Sequence, residues 1–96
     1  MARYTLTPRA RRDLEDIWSF SADRWDEKQA TVYIDDLRSA FETIADNPSR
    51  GRSCNDIRAG YSRFSKGSHV IFYRQVNGVV DVVRILHQRM DFPRHL

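Results

Sequence analysis

The residues able to do chemistry in this chain gather towards its C-terminal end: Arg63, Arg74, Arg84, His87 and Arg89. Arginine can neutralise phosphate charge, and histidine can act as a general acid or base. A metal-free ribonuclease could be built from such a set. Arg84, His87 and Arg89 are the candidate catalytic residues on that reading. Other chemistries find little support. His69, His87 and His95 lie far apart and lack Cys or carboxylate partners at ligand spacing, so no metal site and no cofactor is expected. Cys54 is followed by Asn55 and Asp56, which would not lower its pKa, and it reads as structural. The chain carries no glycine-rich phosphate loop and no nucleophile elbow.

Bulk properties set the frame. The 96 residues are read as one domain, 1–96, with 41% hydrophobic and 30% charged residues, an ordinary globular balance. A single cysteine cannot make an internal disulfide, which fits a reducing, cytoplasmic setting. No segment approaches the apolar length of a membrane span, and the first residues show no signal-peptide core, so no membrane association is expected. The net charge of +3 is milder than that of a protein dedicated to phosphate backbones. The basic set is nevertheless lopsided, with fourteen Arg against two Lys. Arginine's planar fork suits carboxylates and phosphates alike, so an acidic protein partner and a nucleic acid both match it.

The elements that must position these residues follow from local patterns. Residues 3–7 alternate and predict a short strand. Thr7-Pro8 is a good cap and first-turn pair for a helix running to about Arg24, with Ala10, Leu14, Ile17, Trp18, Ser21 and Trp25 at helical spacing. Asp26, with Gln29 three residues on, restarts a helix. Its stripe is Ala30, Tyr33, Ile34, Leu37, Phe41 and Ile44, and Asn47-Pro48 ends it. Two helices separated by a turn predict an antiparallel hairpin. Residues 48–60 read as a long loop, of a length that tends to be functional or mobile. Three strands follow at roughly Tyr61–Ser65, Ser68–Val76 and Val79–His87. Lys66-Gly67 and Asn77-Gly78 are the expected turns, the second of type I′.

A two-residue turn at Asn77-Gly78 predicts the pairs Val76 with Val79, Arg74 with Asp81, Tyr73 with Val82, Ile71 with Arg84, and His69 with Leu86. Alternation then sorts two faces. Val70, Phe72, Val76, Val79, Val83 and Ile85 form the more apolar one, assigned to the helical hairpin. His69, Ile71, Tyr73, Gln75, Val80, Val82, Arg84 and Leu86 fall on the other, half apolar and half polar, which is still too apolar to face water comfortably and needs a cover. Either a C-terminal turn or a partner could supply it. In this register Arg84 and His87 point to opposite faces, which weakens a convergent catalytic site.

The succession of motifs resembles the RelE/ParE superfamily of toxins from type II toxin–antitoxin systems, on its ParE branch. The residues that carry the likeness are Leu14-Glu15-Asp16-Ile17-Trp18, Ala45-Asp46-Asn47-Pro48 with Gly51-Arg52, Ile57-Arg58-Ala59-Gly60-Tyr61, Gly67-Ser68-His69-Val70-Ile71-Phe72-Tyr73 and Ile85-Leu86-His87-Gln88-Arg89-Met90-Asp91. The resemblance implies an α+β fold of order β-α-α-β-β-β with a short C-terminal tail. It implies a growth-inhibiting toxin that poisons DNA gyrase by protein contact and is neutralised by a ParD-like antitoxin. Operator DNA would be reached only through that antitoxin. On this view Ile71, Tyr73, Val82, Arg84 and Leu86 would bind the antitoxin, and the helical hairpin would offer a second groove. RelE-like relatives are instead ribosome-dependent mRNA endonucleases, often with a Tyr or His near the C-terminus. Here Phe92 stands where such a tyrosine would be sought, while His87 and Arg89 keep the nuclease reading open.

Overall fold

The computed structural model describes residues 3–96. Strand β1 (Tyr4–Leu6) leads into helix α1 (Pro8–Arg24) and helix α2 (Glu27–Asp46). A 3₁₀ turn (Pro48–Arg50) and a two-residue strand β2 (Arg52–Ser53) follow. The chain continues through β3 (Ser62–Lys66), β4 (His69–Val76) and β5 (Val79–His87), and ends in a short helix α3 (Phe92–His95).

Both long helices start where their caps predict. The Thr7 hydroxyl accepts the Ala10 N–H at 3.0 Å and donates to the Val83 carbonyl at 2.8 Å, so one side chain caps α1 and ties it to β5. Asp26 accepts the Gln29 N–H at 2.7 Å to open α2. Helix α1 buries Ala10, Leu14, Ile17 and Ser21; α2 buries Ala30, Ile34, Leu37, Ala40, Phe41 and Ile44. Trp25, expected in the α1 stripe, is instead exposed, because the helix ends at Arg24 and the chain turns there.

The sheet has five strands in the order β1-β5-β4-β3-β2. Strand β1 runs parallel to β5, with Leu6 beside Val82. Two elements differ from the expected meander. The region 48–60 contributes β2, with Arg52 opposite Arg63. The β3–β4 turn is Gly67-Ser68, one residue later than expected, with Gly67 at a positive φ of 58°. The last turn is as expected: Asn77 and Gly78 both have positive φ, 53° and 77°, as a type I′ turn requires.

The predicted register holds from Val76–Val79 to Tyr73–Val82 and then slips. Phe72 pairs with Arg84, Ile71 with Ile85, Val70 with Leu86 and His69 with His87, with an irregularity between Phe72 and Tyr73. One extra β5 residue, Val83, is inserted there as a bulge. On β4, and on β5 up to Val83, the helix-facing side is the reverse of the one expected, whereas beyond the bulge Ile85 faces the helices and Leu86 faces away from them, as expected. Ile71, Tyr73, Val80, Val82 and Ile85 pack with the apolar stripes of α1 and α2. Val70, Phe72 and Leu86 face away and pack with Cys54 and Tyr61, flanked by Ile57, Val83, Phe92 and Leu96. The second face is therefore closed from within, by the segment around 54–61 and the C-terminal tail. Alternation could not choose between faces because Val70-Ile71-Phe72-Tyr73 is apolar on both.

Candidate interaction surfaces

The bulge places Arg84 in a closed network. Its Nε and Nη2 donate to the two carboxylate oxygens of Asp13, at 2.8 and 3.0 Å, and Nη1 donates to the His95 carbonyl at 2.8 Å. The same carboxylate accepts the Ile85 N–H at 2.9 Å. Strand β1 stops at Leu6, so Asp13 of α1 takes over the edge of β5 that β1 leaves uncovered. A bidentate pair of this kind is strong and directional. The Asp13 hydrogen bond holds the Arg84 pKa above its ordinary value, against the opposing effect of burial.

None of the five residues expected on a free antitoxin-binding face is accessible. Ile71, Tyr73 and Val82 are buried under the helices, Leu86 is buried under the tail, and Arg84 is buried against Asp13. The reversed face accounts for Ile71, Tyr73 and Val82; Arg84 and Leu86 lie on the face expected, but Asp13 and the C-terminal tail cover them. The candidate nuclease set is dispersed as well. Arg84 lines a small groove of about 210 Å³ with Arg9, Arg58, Tyr61 and Leu96. His87 lines a separate groove of about 340 Å³ with Asp16, Ile17, Phe20 and His69. Arg89 follows in the turn, where its backbone N–H donates to His87 Nδ1 at 3.2 Å.

The His87 groove holds a feature not legible from spacing. His69 and His87 are cross-strand partners, with ring centroids 5.4 Å apart in an edge-on arrangement. The Ser68 N–H donates to the Tyr33 hydroxyl at 3.1 Å, and that hydroxyl lies 2.6 Å from His69 Nδ1. The Tyr33 hydroxyl thus accepts from Ser68 and shares a second hydrogen bond with His69 Nδ1, whose direction follows the His69 tautomer. Burial, then the neighbouring His87, pushes the His69 pKa down to about 4. Burial is also the main cause that raises the pKa of Tyr33. Two groups held in their neutral forms make a structural clamp between α2 and β4 and are poorly placed for proton transfer at neutral pH.

The exposed apolar surface lies mainly on the helical hairpin. Phe20, Trp25 and Val32 are each more than half exposed. One groove of about 450 Å³ runs between α1 and α2 beside β1, lined by Leu6, Leu14, Trp18 and Ile34, with Arg11, Glu15 and Arg38 around them. A second, of about 590 Å³, is lined by Trp25, Val32 and Tyr33 together with Asp26, Lys28, Gln29 and Asp36. Trp18 donates from its indole to Thr31 at 3.2 Å, which fixes its ring between the helices. An apolar floor with charged flanks is the form of a groove that receives an amphipathic partner segment. Among the described residues no helix is long and apolar enough to cross a membrane.

Residues 4–92 match the family model described as ParE toxin of type II toxin-antitoxin system, parDE. The chain is 49% identical over 96 residues to Toxin ParE1 of Mycobacterium tuberculosis (strain ATCC 25618 / H37Rv), covering 99% of this chain and 98% of that protein. It is 45% identical over 96 residues to Toxin ParE1 of Caulobacter vibrioides, covering 100% of this chain and 99% of that one. Among solved structures, a chain of the chromosomal ParDE TA system from P. aeruginosa superposes with a TM-score of 0.78, over 91% of this chain and 96% of that chain. At 15% identity that likeness is one of fold.

Proposed function

Because this chain belongs to the ParE toxin family of type II toxin–antitoxin systems, we propose that it inhibits growth by poisoning DNA gyrase through protein contact, and that a ParD-like antitoxin neutralises it. The observation that carries a contact mechanism is the fate of the basic residues in β5 and beyond. Arg84 is committed to Asp13, and His87 lines a different groove. Phosphoryl chemistry needs charge and a proton carrier converging on one point, and these residues do not converge. The hairpin, by contrast, exposes Phe20, Trp25 and Val32 and carries open grooves with apolar lining.

The antitoxin would use that surface. An amphipathic helix laid against Leu14, Trp18 and Ile34 would bury apolar area, and acidic residues on its flanks would meet Arg11 and Arg38. Operator DNA is then contacted by the antitoxin's own DNA-binding half, in the cytoplasm where both chains are made. The expected outcome is loss of supercoiling by purified gyrase, with gyrase-dependent DNA breaks, when the toxin is added, and restoration by the antitoxin. No inhibition and no breaks at saturating toxin would overturn the gyrase assignment. Cuts in ribosome-bound mRNA would replace it with a nuclease.

A further inference from the structure

The sheet edge farthest from β1 carries like charges face to face. Arg52 in β2 and Arg63 in β3 are direct partners across the antiparallel pair, an arrangement that repels unless an anion lies between or above the two. Arg50, in the preceding turn, lines the same groove of about 440 Å³, with Ser65 on its rim and Phe64 and Val70 behind. No carboxylate lines it. Among the described residues the ion pairs are Arg74–Asp81 and Arg84–Asp13, and neither uses these three arginines.

The backbone that carries Arg50 and Arg52 is held from beneath. The buried Tyr73 hydroxyl donates to the Pro48 carbonyl at 2.6 Å and accepts the Gly51 N–H at 3.1 Å. A Cβ at Gly51 would collide with that hydroxyl and lie 2.7 Å from the Arg63 carbonyl oxygen, so only glycine fits between the two arginines. The result is three arginines whose side chains line one groove over a fixed backbone, with no carboxylate among them, suited to a ligand of closely spaced negative charges.

We propose that this groove binds the phosphate backbone of DNA through Arg50, Arg52 and Arg63. Planar, multi-donor guanidinium groups match phosphate oxygens. The predominantly polar lining offers no deep apolar pockets of the kind an extended peptide uses for specificity. No base edge is read, so binding is sequence-independent and strongly salt-dependent. The inference deepens the gyrase reading and rests on it for its purpose: a toxin that touches the enzyme and the DNA it holds would be harder to displace. Operator recognition stays with the antitoxin.

The test is a fluorescence-anisotropy titration of a short labelled duplex with the purified chain over a range of salt concentrations. Wild type is compared with R50Q/R52Q/R63Q and with R50K/R52K/R63K. The Gln variant is expected to weaken binding at least about tenfold and to reduce the log–log salt slope by about 2–3, near 0.9 per lost phosphate contact. The Lys variant is expected to keep most of the slope. Melting curves and antitoxin binding establish that each variant is folded. If the triple Gln variant is not, Arg63→Gln alone carries the test, with a slope change of about 1. An unchanged affinity and slope overturns the proposal. So does preferential binding of polyglutamate or single-stranded RNA over the duplex. Supercoiling assays separate the two readings. If the arginines govern duplex binding but wild type leaves gyrase untouched, the site stands and the gyrase reading fails. If wild type and the Gln variant inhibit gyrase equally and bind duplex equally, the site is overturned.

Discussion

The two faces of the sheet are closed by different kinds of structure. On one, α1 and α2 lay regular apolar stripes over Ile71, Tyr73, Val80, Val82 and Ile85. On the other, an irregular segment and a four-residue helix cover Val70, Phe72 and Leu86. The helical side is self-supporting, since each helix has its own ladder, cap and packed partner. The tail side depends on a few long-range ties: the Phe72–Phe92 edge contact at 5.0 Å, Arg84 to the His95 carbonyl, and Arg58 to the Leu96 carbonyl at 2.7 Å. Unequal closure implies unequal stability, with the tail side opening first. Asp13 connects the two, because it is rooted in α1 and holds the arginine that holds the tail.

That contrast can be broken or sharpened by substitution. Phe41→Ala, at a fully buried site under α2, should cost about 3–5 kcal/mol in denaturant unfolding and lower the midpoint of the whole transition. Asp13→Ala should cost about 3 kcal/mol, because it strands the buried Arg84 charge and the Ile85 N–H. Hydrogen exchange should then rise in the tail as well as along β5; protection retained in the tail would show that Asp13 does not couple the faces. Phe92→Ala should cost only about 1–2 kcal/mol, since its ring is partly exposed. It should deprotect residues 54–61 while leaving α2 protected. A loss as large as that of Phe41→Ala would abolish the distinction between the faces.

The last expected effect is on pH. Above the ordinary histidine value His69 is neutral whether folded or unfolded, and it adds no pH dependence. Below about 6.5 the unfolded chain takes up a proton that the folded chain refuses until about 4. Stability through this group is therefore lost as pH falls across that window. Unfolding midpoints measured between pH 7 and pH 4 should fall less steeply in His69→Gln than in wild type. Equal slopes would mean that His69 is freely protonated in the folded chain.

Much of the frame was legible because its signals are local. The Thr7-Pro8 and Asp26 caps, the stop at Asn47-Pro48 and the Asn77-Gly78 turn each depend on a few adjacent residues. The toxin family was legible for a related reason: its motifs are short runs spread over the chain. The burial of Ile71, Tyr73 and Val82 was not legible because it depended on which face of a doubly apolar strand meets the helices. The arginine groove was not legible at all. Arg50 and Arg52 lie in what reads as a loop, and only the pairing of a two-residue strand brings Arg52 to Arg63.

The sequence by itself determined where the helices begin and end, where the last hairpin turns, and that the sheet would be apolar on both sides. Those are consequences of backbone preference and side-chain period, which act over one to a few residues. Only the tertiary structure decided the fate of the basic residues. A single bulged residue, Val83, sets the register beyond Tyr73, and Asp13, seventy-one positions before Arg84, claims the arginine that spacing alone offered to chemistry or to a partner. Three other arginines, scattered in a loop and a strand, were left together without a counter-charge. Charge pairing depends on distance in space, and in this chain that distance was set by the sheet.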